Sequence, residues 1–139
     1  MLKIVLDTNV IISAFFWKGN EYELFKLIEQ GKAQLFISQE IIDELEDVLN
    51  RPKLQEVIKQ SNQTVDEMIK KVISLGKIVE TKMLPENIVK SDKKDDKFIE
   101  CALSAKADVI VSGDNHLLDL KKYENTMILR VKEVFERFF

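Results

Sequence analysis

Residues 2–9, Leu2-Lys3-Ile4-Val5-Leu6-Asp7-Thr8-Asn9, restrict the fold more than any other stretch of the chain. Ile4, Val5 and Leu6 form a short unbroken apolar run, the pattern of a strand buried on both faces of a parallel sheet. Apolar residues resume as Val10, Ile11, Ile12, Ala14 and Phe15, a density that suits a packed helix. Asp7 therefore stands where a buried strand ends and a helix begins. In open α/β sheets ligands bind at that edge, outside the carboxyl ends of the strands. Asp7 is a candidate site residue by position alone.

The remaining chain supplies further strands and helices in alternation. Residues 21–30 carry Tyr22, Phe25, Leu27 and Ile28 at roughly helical spacing, and Gly31 ends that helix. Residues 33–37 read as a second strand. Ser38 is a predicted N-cap for a helix whose apolar stripe is Ile41, Ile42, Leu45, Val48 and Leu49, closed by Arg51-Pro52. A short amphipathic segment, 54–58, leads to the turn Ser61-Asn62-Gln63. Thr64 and Glu67, three apart before Met68, Ile69, Val72 and Ile73, form a capping-box signature. Residues 77–81 are predicted as a third strand, 85–94 as a polar loop, and 95–105 as a helix with Phe98, Ile99, Ala102 and Ala105 inward. Residues 108–112 form the clearest strand after the first, followed by Gly113-Asp114; 127–131 give a last strand and 132–139 a terminal helix. Alternation of this kind predicts an α/β sandwich around a mostly parallel sheet. At 139 residues, with no Gly/Pro-rich linker, residues 1–139 are expected to form a single domain.

Several function classes are disfavoured. No apolar run approaches the roughly 20 residues a membrane span needs, and no signal peptide is visible. Cys101 is the single cysteine, which excludes an internal disulfide and fits a reducing cytoplasm. Neither GxGxxG nor a P-loop occurs. A net charge of −3 argues against nucleic acid, unless a metal converts an acidic site into a phosphate-binding one.

Acids supply such a site. Asp114, like Asp7, follows an apolar strand and precedes a helix. Glu44 lies in the first two turns of its helix, next to the inward Leu45, and Asp95 shares the face of Phe98 and Ala102 at its helix start. Each has an ordinary alternative: Asp7 and Asp95 as helix-start residues, Glu44 as a solvated side chain, Asp114 as a turn. Together they are predicted to meet at one edge of the sheet. Two carboxylates about 4 Å apart repel by on the order of 1 kcal/mol in water and about 4 kcal/mol at an effective dielectric of 20. A divalent cation removes that penalty, and all-oxygen ligation suits Mg²⁺ or Mn²⁺. Such a centre suits phosphodiester hydrolysis.

The ordered pieces Leu6-Asp7-Thr8-Asn9-Val10, Glu44-Leu45, Asp92 to Ala102 and Ala107 to Asp114 resemble the PIN-domain family of metal-dependent ribonucleases, many of them VapC-like toxins of toxin–antitoxin pairs. The resemblance implies a PIN-like three-layer α/β/α sandwich. It also implies an acidic quartet of Asp7, Glu44, Asp95 and Asp114 holding Mg²⁺ or Mn²⁺, with Asp92 as an additional acid and Asn9 and Ser112 as supporting polar residues. It further implies an RNA substrate, a small antitoxin partner and a homodimer. Two positions depart from the branch's pattern: Lys93 stands where Pro is usual and Asp96 where Asn is frequent. Spacing to Ala102 favours Asp95 as the third acid, whereas counting back from Asp114 favours Asp96. The rival functions are a non-catalytic RNA- or protein-binding module on the same fold and a structure-specific DNA nuclease.

Other residues have two readings each. Lys90, Lys93, Lys94, Lys97, Arg51 and Lys53 are candidates for a phosphate-contacting rim, against ordinary solvated surface. Phe15, Phe16 and Trp17 are candidates for base stacking or a partner surface, with at least two expected in the core. His116, the single histidine, reads as structural or as an aid to leaving-group protonation. Cys101 reads as buried and without catalytic chemistry.

Overall fold

The computed structural model of the 139-residue chain describes residues 1–82, 84 and 95–139. In chain order the elements are β1 (Leu2–Leu6), α1 (Thr8–Phe16), α2 (Asn20–Glu29), β2 (Ala33–Ile37), α3 (Gln39–Leu49), α4 (Pro52–Gln60), α5 (Val65–Leu75) and β3 (Gly76–Ile78). Then follow α6 (Asp96–Ala105), β4 (Val109–Val111), α7 (Asn115–Leu118), β5 (Lys122–Tyr123), β6 (Thr126–Leu129) and α8 (Val131–Phe138).

The described strands form one sheet in the order β3-β2-β1-β4-β6-β5. Pairing is parallel from β3 through β6, with Ile4↔Leu35 across β1–β2 and Leu6↔Val111 across β1–β4. The short β5 alone runs antiparallel, against β6. The first crossovers leave β1 toward β2 and β3, and the later strands lie on its other side. The topological switch point therefore falls between β1 and β4. Ile4, Val5, Val109, Ile110 and Val111 are fully buried, as strands covered on both faces must be. Helix α6 packs across β1, β2 and β4, while α2 packs on β2 and α8. The expected α/β sandwich with a mostly parallel sheet is the architecture found.

Local chemistry sets most boundaries. Ser38 caps α3 by accepting from the Ile41 N–H, and Thr64 and Glu67 complete their capping box. Pro52 both closes α3 and opens α4, since proline's missing N–H is harmless in a first helical turn. The amphipathic segment expected at 54–58 is thus the middle of a longer helix. Three expected strands are shorter than their apolar patterns: β3 ends at Ile78, β4 spans only Val109–Val111, and β6 ends at Leu129 because Val131 already begins α8. Strand β5 had no counterpart in the sequence reading, since two residues carry no periodicity. The polar loop expected at 85–94, with Asp92, Lys90, Lys93 and Lys94, lies outside the described residues.

Candidate acidic site at the β1–β4 edge

Asp7 is the N-cap of α1. Its Oδ1 accepts from the N–H groups of Asn9 at 2.8 Å and Val10 at 3.2 Å, and its own N–H continues the β1–β4 ladder by donating to the Val111 carbonyl at 3.0 Å. Parallel register places Ser112 directly beside it. The buried Ser112 hydroxyl donates to Asp7 Oδ2 and accepts from the Asp114 N–H at 2.9 Å. One hydroxyl thus ties together the two strand-end acids. Both oxygens of Asp7 are fixed, so its carboxylate is held without rotation at a position only 5% exposed.

Asp114 is the N-cap of α7, its Oδ1 accepting from the His116 N–H at 3.0 Å. A hydrogen bond with the Asp95 side chain holds the Asp114 carboxyl below the usual carboxylate range. Two carboxylates share such a bond only with a proton between them. Burial, opposed by the bonds from Ser112, Val10 and Asn9 and reinforced by the charge of Asp114, raises Asp7 above that range. The two strand-end acids are thus shifted in opposite directions, Asp7 up by burial and Asp114 down by its bond with Asp95.

Asp95 occupies the N-cap position of α6 without a side-chain capping bond there; it turns instead to Asp114. Asp96, the competitor for the third place, is buried on the first turn of α6. Glu44 is drawn to a different partner: its carboxylate is ion-paired with Lys97 of α6, and both side chains are mostly buried. Asp7, Asp95 and Asp114 are therefore linked in a chain of interactions, while Glu44 is joined to α6 through a lysine. Among the described residues, no three His, Cys, Asp or Glu side chains lie close enough together to hold an ion as they stand. The donor chemistry nonetheless fits a hard divalent cation: three carboxylates reach one sheet edge, and two of them, Asp95 and Asp114, interact directly.

The neighbouring candidates resolve as follows. Asn9 is exposed and, with Ser112, lines a groove of about 300 Å³ running from the acids toward the end of β6. His116 is half-exposed, its Nδ1 3.7 Å from Asp114 Oδ1. Arg51 pairs with Asp47 on the surface rather than with any site acid. Phe15 and Phe16 pack against the core, whereas Trp17 is 57% exposed. Burial pushes the Cys101 thiol up to about 12, as an inert core cysteine requires. The sequence reading missed two things. Lys97 pairs with an acid instead of bordering the site, and Arg130 and Lys132 line the groove. The second had a visible signal, two cations straddling the start of the last helix.

An α/β sandwich with fixed carboxylates at its topological switch point is one arrangement in which acids, rather than a cofactor loop, form the site. Residues 3–116 match the PIN domain, and the chain belongs to the PIN-domain family. Its fold is similar to that of a chain in the crystal structure of VapBC2 from Rickettsia felis bound to a DNA fragment from their promoter. The TM-score is 0.61 at 15% identity, covering 91% of this chain and 97% of that one. At that identity the likeness is one of fold. No curated protein matches the chain. No helix among the described residues is long and apolar enough to cross a membrane.

Proposed function

We propose that the protein is a metal-dependent endoribonuclease, the toxin of a toxin–antitoxin pair, working in the cytoplasm and restrained by a small antitoxin protein. A homodimer would extend the RNA groove beyond one subunit. The observation that carries this reading is the Asp7–Ser112–Asp114–Asp95 constellation at the β1–β4 edge of a PIN-domain chain. Fold similarity to a chain of VapBC2 supports the toxin–antitoxin assignment.

Asp7, Asp95 and Asp114 would hold Mg²⁺ or Mn²⁺, joined by Glu44 once Lys97 releases it; Asp92 is the further acid of the proposed set. When bound, such an ion polarises a phosphate oxygen and acidifies water toward hydroxide. The residues of this chain set the conditions for that chemistry. Ser112 and the Asn9 and Val10 N–H groups fix both oxygens of Asp7, so little reorganisation accompanies charge development. Asp95 and Asp114, already side by side, would present their carboxylate oxygens to the same cation. The Lys97 ammonium, once released from Glu44, would be available to a phosphate.

The test is cleavage of single-stranded RNA with Mg²⁺ or Mn²⁺, comparing wild type with Asp7→Asn and Asp114→Asn. Both variants are expected to fold and to lose cleavage; variants that cut at the wild-type rate would refute the assignment. A second reading, a non-catalytic binding module on the PIN fold, is favoured by the Lys97–Glu44 pair, which neutralises one acid without a metal. RNA binding without cleavage in any metal would select it, and cleavage of structured DNA alone would select a DNA nuclease.

A further inference from the structure

The groove beside the acids differs from them in charge and in chemistry. Leu129, the last residue of β6 and the register partner of Val111, accepts a hydrogen bond from the Ser112 N–H at 3.0 Å, so Arg130 follows in step with Ser112. Arg130 and Lys132 are both exposed and line the groove. The Arg130 guanidinium is held by Asn115 Oδ1 at 3.1 Å, next in sequence to Asp114. Ser13 and Asn20 also line the groove, with Glu21 as the one acid among the described lining residues. None of the described residues lining it is aromatic, so they offer no ring on which to stack a base.

Arg130 lies two strand spacings from Asp7, about 10 Å at roughly 4.8 Å per strand. Stacked nucleotides advance by about 3.4 Å each, so that separation is of the order of two to three nucleotides. We infer that this groove is a backbone subsite for single-stranded RNA. Arg130 and Lys132 hold a phosphate a few nucleotides from the bond that meets the acids, and Ser13 and Asn20 face the ribose 2′-hydroxyl. The inference rests on the ribonuclease reading for its substrate, and it fixes the direction of the strand path, from the β1–β4 edge toward β6. Arg130 and Lys132 are positioning residues. Phosphate contacts of this kind carry no base specificity, so the subsite anchors any sequence.

The test is fluorescence anisotropy of a labelled single-stranded RNA 12-mer in Mg²⁺ over a range of KCl, with Asp114→Asn present throughout to prevent cleavage. Adding Arg130→Gln and Lys132→Gln is expected to weaken binding about tenfold or more at low salt. The slope of log affinity against log salt is expected to shrink by about 0.7, for the one phosphate that the pair neutralises. Lys59→Gln with Lys70→Gln, the same charge change on exposed positions of α4 and α5, is expected to leave both quantities near the parent values. Equal effects from the two pairs, or none from Arg130 and Lys132, would overturn the subsite. So would a DNA 12-mer of the same sequence bound as tightly as the RNA. With Asp114 restored, Arg130→Gln/Lys132→Gln is expected to raise KM for cleavage with kcat little changed. Cleavage with an unchanged KM removes the subsite and keeps the nuclease; groove-dependent binding without wild-type cleavage keeps the subsite and removes the nuclease.

Discussion

Replacing Ser112 with Ala should expose how the strand-end acids are held. The Ser112 hydroxyl is buried, donates to Asp7 Oδ2 and accepts from the Asp114 N–H. Its loss removes one hydrogen bond to a charged group, worth about 1.5–3 kcal/mol, and a neutral one worth about 1 kcal/mol. Because Asp7 is 5% exposed, water replaces little of the first. The expected destabilisation of the metal-free protein is therefore about 2–4 kcal/mol, a fall of roughly 6–14 °C in Tm for a chain of this size. The assay is urea unfolding at pH 7 in EDTA for wild type, Ser112→Ala, Asp7→Asn and the double variant. A coupling of at least about 1.5 kcal/mol between the two sites is expected. Coupling within about 0.5 kcal/mol of zero would mean that the hydroxyl does not support the carboxylate, and the preorganisation argued for Asp7 would fall.

Four further outcomes follow from the same geometry. Mg²⁺ or Mn²⁺ at about 100 times its Kd should stabilise the native protein by about 2.7 kcal/mol in thermal unfolding, and Asp114→Asn should abolish that gain; an equal gain in the variant would contradict the assigned ligands. Asp7 titrates above 3.8 when folded, so between that value and its raised folded value the native state binds more protons than the unfolded one. Metal-free stability should accordingly fall as pH rises through this window, and Asp7→Asn should flatten the fall; a steeper fall in the variant would reverse the sign assigned to Asp7. Cys101, with its thiol pushed up to about 12, should resist a thiol reagent at pH 8 until the protein is denatured, and rapid labelling of native protein would refute its burial. A Cβ at Gly76 would lie 2.9 Å from Ile37 Cγ2 and 3.3 Å from the Val72 carbonyl, so Gly76→Ala should cost about 1–3 kcal/mol in denaturant unfolding; a neutral result would show that the β3 entrance can relax.

Long apolar patterns carried the fold. Ile4 to Leu6 and Val109 to Val111 read as buried strands because fully covered strands tolerate little else, and their pairing brought Asp7 and Asp114 to one edge. Ser38, Thr64 and Glu67 announced their helices by side-chain chemistry that acts within three residues. Short elements were not legible, since β5 is an antiparallel pairing of two residues with a partner chosen by tertiary contact. The candidate acids were nameable from the sequence, and the pairings they make were not. No local pattern distinguishes Asp95 turning to Asp114 from Asp95 capping its helix. The attraction of Glu44 to Lys97 joins residues 53 positions apart, which periodicity within either helix does not register.

The bond between Ser112 and Asp7 spans 105 positions of sequence, and β4 joins β1 only after most of the chain exists. During synthesis β1 can pair with β2 early, but the slot on its other side waits for residues 109–111. Until then Asp7 has neither Ser112 nor Asp114 beside it, however well the first half has folded. The acid edge is thus completed late by construction. A growing or truncated chain that stops before β4 is a scaffold in which Asp7 stands alone at the end of its strand.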